Sequence, residues 1–258
     1  VIGSKLKNLS KTKVSKSLAM KLLALDCSSE ACSVALLQAD SIDAKAIISE
    51  QFEMAARQHT QRLLPMVEQV LAAANCSLQQ LDAIAFGRGP GSFTGLRICL
   101  GAVQGLALAA DLPVLPVSSL AAQAKTAIDE GLVSDSELII SSFDARMDEV
   151  YWACYQRVGQ SIERIGEERL TAPELVTSPD NIDKQRVALV GSGCDYGKRI
   201  TDYDGFQLRA AELLPRASAV AALACVDFFE GRMVNADQAL PQYLRDDVTW
   251  KKQSPAVG

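Results

Sequence analysis

One histidine, His59, is all the imidazole this 258-residue sequence has. A metal centre or acid–base pair needing two imidazoles is therefore excluded within the chain. The seven cysteines, 27, 32, 76, 99, 154, 194 and 225, contain no C-x-x-C pair and are odd in number. That excludes the usual zinc knuckles and predicts buried free thiols in a reducing compartment. No apolar run approaches the roughly 20 residues that span a bilayer. No apolar stretch with a cleavage site marks a signal peptide either, so the chain is read as cytoplasmic with no membrane contact. Acidic residues are missing from residues 1–19, which carry Lys5, Lys7, Lys11, Lys13 and Lys16. This stretch is read as a tag or disordered extension ahead of a natural start at Met20. Without it the net charge of −5 becomes about −10, with 21 basic against 31 acidic residues. An acidic body argues against nonspecific nucleic-acid binding, which depends on neutralised phosphates.

The remaining pattern is α/β. Met20–Asp26 reads as a short apolar strand ending on a carboxylate, with strands following at Ala31–Leu37 and Ala44–Phe52. Apolar residues at 63, 64, 67, 70, 71 and 74 predict a helix over 57–74, kinked or started late by Pro65. Ser77 and Gln80 have capping-box spacing. A strand at Asp82–Phe86 leads into a glycine-rich segment and a helix over 93–110. Another buried strand at Pro113–Val117 precedes a helix capped by Ser118. The order β-β-β-α-β-α-β-α predicts a meander whose later strands arrive through helical crossovers and lie parallel. A second β-rich half begins near Glu137, with strands at 138–143, 149–155, 162–170 and 186–190 and a terminal helix over 218–229. No internal repeat is visible in the sequence.

The segment Gly87–Arg97, GRGPGSFTGLR, is the most distinctive. Such a loop, entering a helix with Ser92 as N-cap, can point free amides at an anion, with Gly89, Gly91 and Ser92 as candidate contacts. Its glycines can equally serve a sharp turn and close packing. Asp26 stands where actin-like kinases and ATPases orient a magnesium–nucleotide complex, and Gly191-Ser-Gly193 resembles an adenosine loop. Yet the turn Asp26-Cys-Ser-Ser-Glu30 and its counterpart Ser141–Arg146 lack the glycines that cup phosphates, so Asp26 and Asp144 can be turn caps instead. Weak ATP or ADP binding through Asp26, Gly89, Gly91, Ser92, Gly191 and Gly193 is the most that this equipment supports. A hydrolase would have to use His59, which has no neighbour of ligand or triad spacing.

The helix over 93–110 is apolar nearly all round, with Gly101, Gly105 and Ala109 at i, i+4 and i+8 open to close approach by another helix. Together with the helix over 57–74 it can bury a face against another protein. Leu63, Leu64, Val67, Val70, Leu71, Leu96, Leu100 and Val103 are the candidate partner-binding residues.

With GRGPGSFTGLR after DAIAF, and with LALDCSSE, RQHTQRLLP, DARMDEVYWACY and PQYLRDDV elsewhere, the chain resembles the TsaB (YeaZ) family from Met20 to Lys252. The resemblance implies an actin-like fold (ASKHA, ribonuclease H-like) of two domains, each with a central mixed sheet and helices. The divisions expected are an extension at 1–19, domains at 20–125 and 126–252, and a tail at 253–258. It also implies a part in placing threonylcarbamoyl on the adenosine beside the anticodon of tRNAs reading codons that begin with A. Members are paralogues of TsaD, which carries the metal-binding histidines and performs the transfer. They pair with TsaD through their first-domain helices, and TsaE, an ATPase, joins the pair. The implied function is a non-catalytic scaffold with tRNA held mainly by its partners, and a homodimer when alone. An autonomous kinase or ATPase of the same fold is the alternative.

Overall fold

The computed structural model describes residues 19–41, 46–134, 137–159, 161–179 and 186–245. The extension 1–19, apart from Ala19, and the tail 253–258 lie outside them.

Two five-stranded mixed sheets carry the fold. The first contains β1 (Met20–Asp26), β2 (Ala31–Ala39), β3 (Ile47–Met54), β4 (Ala83–Gly89) and β5 (Val114–Ser118) in the order β3-β2-β1-β4-β5. β1, β2 and β3 pair antiparallel, while β4 and β5 join in parallel through α1 (His59–Ala73) and α2 (Phe93–Ala110). The second contains β6 (Leu138–Arg146), β7 (Glu149–Val158), β8 (Ser161–Thr171), β9 (Val187–Val190) and β10 (Leu208–Ala210) in the order β10-β9-β6-β7-β8. Counted from its own first strand this order is identical: three antiparallel strands, then two parallel ones. The internal repeat that the sequence hides is thus plain in the topology.

Period-two alternation in β1 explains the layers. Leu23 and Leu25 face one way, into a core with α1 and α2 that includes Leu63, Val67, Cys99 and Val103. Leu22 and Ala24 face the other way, into a core with α4 (Ala217–Phe229). α3 (Ser119–Asp129) lies between the sheets, with Ala122 packed toward the first and Leu120, Ala124 and Ala127 toward the second. Nearly every α3 side chain is buried, including Gln123 and Thr126. The outer face of the second sheet is closed by the 3-10 segment Ser192–Arg199 and by Ile200 and Phe206. The boundary at residue 125 falls within α3, and α4, which follows the second sheet in sequence, packs on the first.

The caps read from sequence are present: Gly95 N donates to Ser92 Oγ and Ala121 N to Ser118 Oγ. Ser77 N donates to the Gln80 side chain at 2.8 Å. α1 continues through Pro65 without a break and starts two residues later than expected. All seven cysteines are buried free thiols. By length and composition the 18-residue α2 could cross a membrane, which corrects the reading that no apolar run comes near that length. Here one face of it, Leu96, Cys99, Val103 and Ala107, is instead buried in the protein.

Candidate functional site

The glycine segment folds against the β1–β2 turn so closely that no ligand fits between them. A Cβ on Gly95 would lie 1.9 Å from the Cys27 carbonyl oxygen, and one on Gly91 would lie 2.3 Å from that of Ser28. Ser92 N donates to Ser28 O at 2.7 Å, and Gly89 N donates to Ser119 Oγ at 3.2 Å. The Gly89 and Ser92 amides are therefore engaged inside the protein, and carbonyl oxygens of the β1–β2 turn lie against Gly91 and Gly95. Of the two readings of this segment, the contacts at Gly91 and Gly95 favour glycines that serve close backbone approach.

Asp26 is likewise turned inward. Its Oδ1 accepts from Ser28 N at 3.0 Å and Ser28 Oγ at 2.8 Å, which makes it a turn cap. Its Oδ2 has no hydrogen-bond partner and points at Gly87, where a Cβ would lie 1.9 Å away. Burial pushes the carboxyl up from 3.8 to about 6, against the two bonds from Ser28 that pull it down. The folded state thus holds a proton that the unfolded state releases between about pH 4 and 6. The stability tied to that proton is complete below this window, falls as pH rises through it, and is gone above it. Asp26→Asn, neutral at every pH, should gain on the wild type by on the order of 2–3 kcal/mol between pH 4 and 7. Urea unfolding at both pH values checks this; a constant difference would show that Asp26 ionises freely.

The second lobe repeats the theme. Asp144 Oδ1 accepts from Arg146 N at 2.8 Å and Tyr196 OH at 2.9 Å, and Oδ2 pairs with Arg146 Nη1 at 3.0 Å. Gly191 and Gly193 pack on Ser142, with a Cβ at Gly191 only 2.1 Å from Ser142 O. Their neighbour Ser192 accepts from Asp144 N at 2.9 Å. Buried Gln123 ties α3 to this corner, accepting from Ser141 Oγ at 2.7 Å and donating to Leu213 O at 2.7 Å. Asp144, Gly191 and Gly193 are thus all engaged in packing and turn capping. An open depression of about 540 Å³ between Phe52, Met54 and residues 209–216 contains none of the residues expected to hold a nucleotide.

His59 is buried, with Nε2 lying 3.1 Å from Ser29 O and 3.2 Å from Ala31 O. It pins the start of α1 to the β1–β2 turn, and among the described residues no serine or cysteine side chain hydrogen-bonds to it. Among the described residues no group of three or more His, Cys, Asp or Glu is arranged to hold a metal.

The candidate partner residues divide. Leu63, Val67, Val70, Leu71, Leu96 and Val103 are buried in the core of the first lobe, a correction to their reading as contacts. An apolar list cannot tell inward from outward on helices so uniformly apolar. Leu64 is exposed and Leu100 partly so. Outward on α2 stand Phe93, Gly101, Gly105, Leu108 and Ala109, with Leu108 81% exposed and open space around both glycines. Arg97 is the sole charge on this helix.

Sequence reading missed the strap formed by residues 241–245. Gln242 N donates to Arg88 O at 2.8 Å on the first lobe. Arg245 then donates to Ala145 O and Glu149 at the β6–β7 turn of the second. Beside it Arg88 crosses the lobes to Glu168, whose side chain is 2% exposed. The segment PQYLRDDV was the signal for the strap, but nothing in it says what it binds.

The family model for TsaD, tRNA N6-adenosine threonylcarbamoyltransferase, matches residues 46–251. The tRNA threonylcarbamoyladenosine biosynthesis protein TsaB of Escherichia coli is 41% identical over 240 residues, 90% of this chain and 98% of that one. Its Haemophilus influenzae namesake is 39% identical, covering 90% and 97%. The solved structure of YeaZ from Pseudomonas aeruginosa is 44% identical with a TM-score of 0.77, covering 87% of this chain and all of that one.

Proposed function

Because this chain belongs to the TsaB (YeaZ) family and so to tRNA threonylcarbamoyladenosine biosynthesis, we propose that it serves there as a scaffold and activator without chemistry of its own. The observation that carries this reading is the outward face of α2. Eighteen residues long, it leaves Gly101, Gly105, Leu108 and Ala109 uncovered and carries one charge. Small residues at i, i+4 and i+8 let a second helix approach closely, and the apolar rim gains by burial. Leu64 and Leu100 border this face, while the buried Leu63, Val67, Val70, Leu71, Leu96 and Val103 fix its shape.

The partner is TsaD, joined by TsaE, with most of the tRNA held by them. A copy of the same chain takes the face when TsaD is absent. The absence of chemistry is supported by the inward Asp26, the fully bonded Asp144 and the carbonyl-filled glycine segment. No nucleotide is required, and any ATP or ADP binding is weak. The work takes place in the cytoplasm.

Reconstituted threonylcarbamoyl transfer to tRNA, with TsaD and TsaE and with or without this protein, tests the reading. Transfer should appear only when the chain is added, and the chain alone should turn over neither ATP nor the adenylate. Turnover by the isolated chain would restore the autonomous kinase or ATPase.

A further inference from the structure

Where α2 begins, side chains from two distant parts of the sequence stack in the open. The Arg97 guanidinium carbon lies 3.8 Å from the centroid of the Phe93 ring. Its Nε donates to the Tyr243 hydroxyl at 3.2 Å, and the Tyr243 ring stands 5.6 Å from Phe93, tilted by 42°. Phe93 is 53% and Tyr243 41% exposed, so both rings keep a face toward solvent. The neighbouring Arg88 and Arg245 are ion-paired with Glu168 and Glu149. Arg97 has no carboxylate within ion-pair distance among the described residues; it meets a phenol and a ring instead.

These groups hold one another in place without a core around them. The guanidinium is attracted to the ring face beneath it and fixes the tyrosine by its hydrogen bond, so the surface is ordered before any ligand arrives. Its chemistry is two aromatic faces and one uncompensated positive charge. Elsewhere α2 is apolar and suits a protein face. A protein docking at Arg97 would need to bring a carboxylate, whereas unpaired RNA brings a base to stack and a phosphate to pair in one unit. Residues 20–258 carry about −10 and do not attract a polyanion broadly, which favours a local contact of this kind within them.

We propose that Phe93, Arg97 and Tyr243 form a stacking platform for an unpaired base of the tRNA, with Arg97 pairing the adjoining phosphate. The proposal rests on membership of the tRNA-modification pathway and goes beyond the scaffold role, in which RNA is held by the partners.

The test uses the full chain in complex with its partner and a tRNA transcript carrying 4-thiouridine at its unpaired positions. Irradiation should cross-link the RNA to Phe93 or Tyr243 in the wild type. The double variant Phe93→Ala/Tyr243→Ala should bind the transcript about tenfold more weakly, the scale of one lost stacked base. Arg97→Gln should flatten the salt dependence of binding, and Phe93→Trp, which keeps an aromatic face, should bind as tightly as the wild type. Assembly with the partner, measured without RNA, should stay within twofold in every variant. Cross-links elsewhere only, with unchanged RNA affinity, overturn the proposal. Lost assembly with unchanged RNA affinity overturns it too and assigns the rings to the protein interface. If a variant loses both, or melts early, the wild-type cross-link decides. Loss of the scaffold role alone would show in the RNA-free assembly assay and leave the cross-link in place.

Discussion

On the proposed docking of TsaD against α2, Leu108→Glu should leave a protein that folds and melts like the wild type but no longer binds it. Leu108 is 81% exposed, so a carboxylate there meets water in the free chain, and surface changes of this kind move stability by about 0.5 kcal/mol or less. In a helix-on-helix contact the same carboxylate is buried without a partner, which costs about 3–5 kcal/mol. That is a loss of affinity of at least a hundredfold, with transfer activity falling alongside it. Val103→Glu, one face round the same helix, provides the contrast: Val103 is fully buried, and its replacement should unfold the first lobe. Co-purification with TsaD, titration calorimetry and a thermal melt separate the two cases. Wild-type affinity in Leu108→Glu would move the docking face off α2.

A single methyl on Gly95 should be as damaging as a buried charge. The added Cβ would lie 1.9 Å from the Cys27 carbonyl oxygen, so backbone must move against backbone. We expect Gly95→Ala to cost about 3 kcal/mol and to lower the Tm by roughly 10 °C. Gly101→Ala, six residues along the same helix, has nothing within 4 Å of its new methyl and should stabilise by up to about 1 kcal/mol. Opposite signs from one substitution type would show that the glycine segment is built for contact between α2 and the β1–β2 turn. A stable Gly95→Ala that had lost nucleotide affinity would return the segment to phosphate binding.

That pair of glycines also shows how far the sequence could be read. The first lobe was legible because its signals are local: the β1 alternation, the Ser92 and Ser118 caps, and a helix over 93–110 that the structure reproduces residue for residue. The second lobe was partly legible. Four of its five strands were found, but β10, only three residues long, was missed, and its kinship with the first was hidden because 3-10 turns cover its outer face where long helices cover the first sheet. The candidate site was less legible still. Whether a glycine admits a phosphate or a carbonyl oxygen depends on what lies opposite, and Cys27 and Ser28 are more than sixty positions away from Gly91 and Gly95. Leu96 and Leu108 are the same residue type on one helix, yet one is core and the other surface. Only the place of the sheet separates them. Tyr243 and Arg245 belong to a motif whose meaning lies in contacts with Arg97 and the β6–β7 turn, which no spacing encodes.

The route of α4 bears on how the chain is made. The back of the first sheet, with Leu22, Leu37 and Leu115, is closed by Ala217, Val220, Ala221 and Ala224. A ribosome completes β5 at Ser118 and must then translate the entire second sheet before that helix emerges. Through this interval the nascent first lobe carries an open greasy face, a natural landing place for a chaperone. Polypeptides released before residue 217 keep that face uncovered for good, so premature termination late in the message is expected to yield sticky products instead of smaller soluble ones.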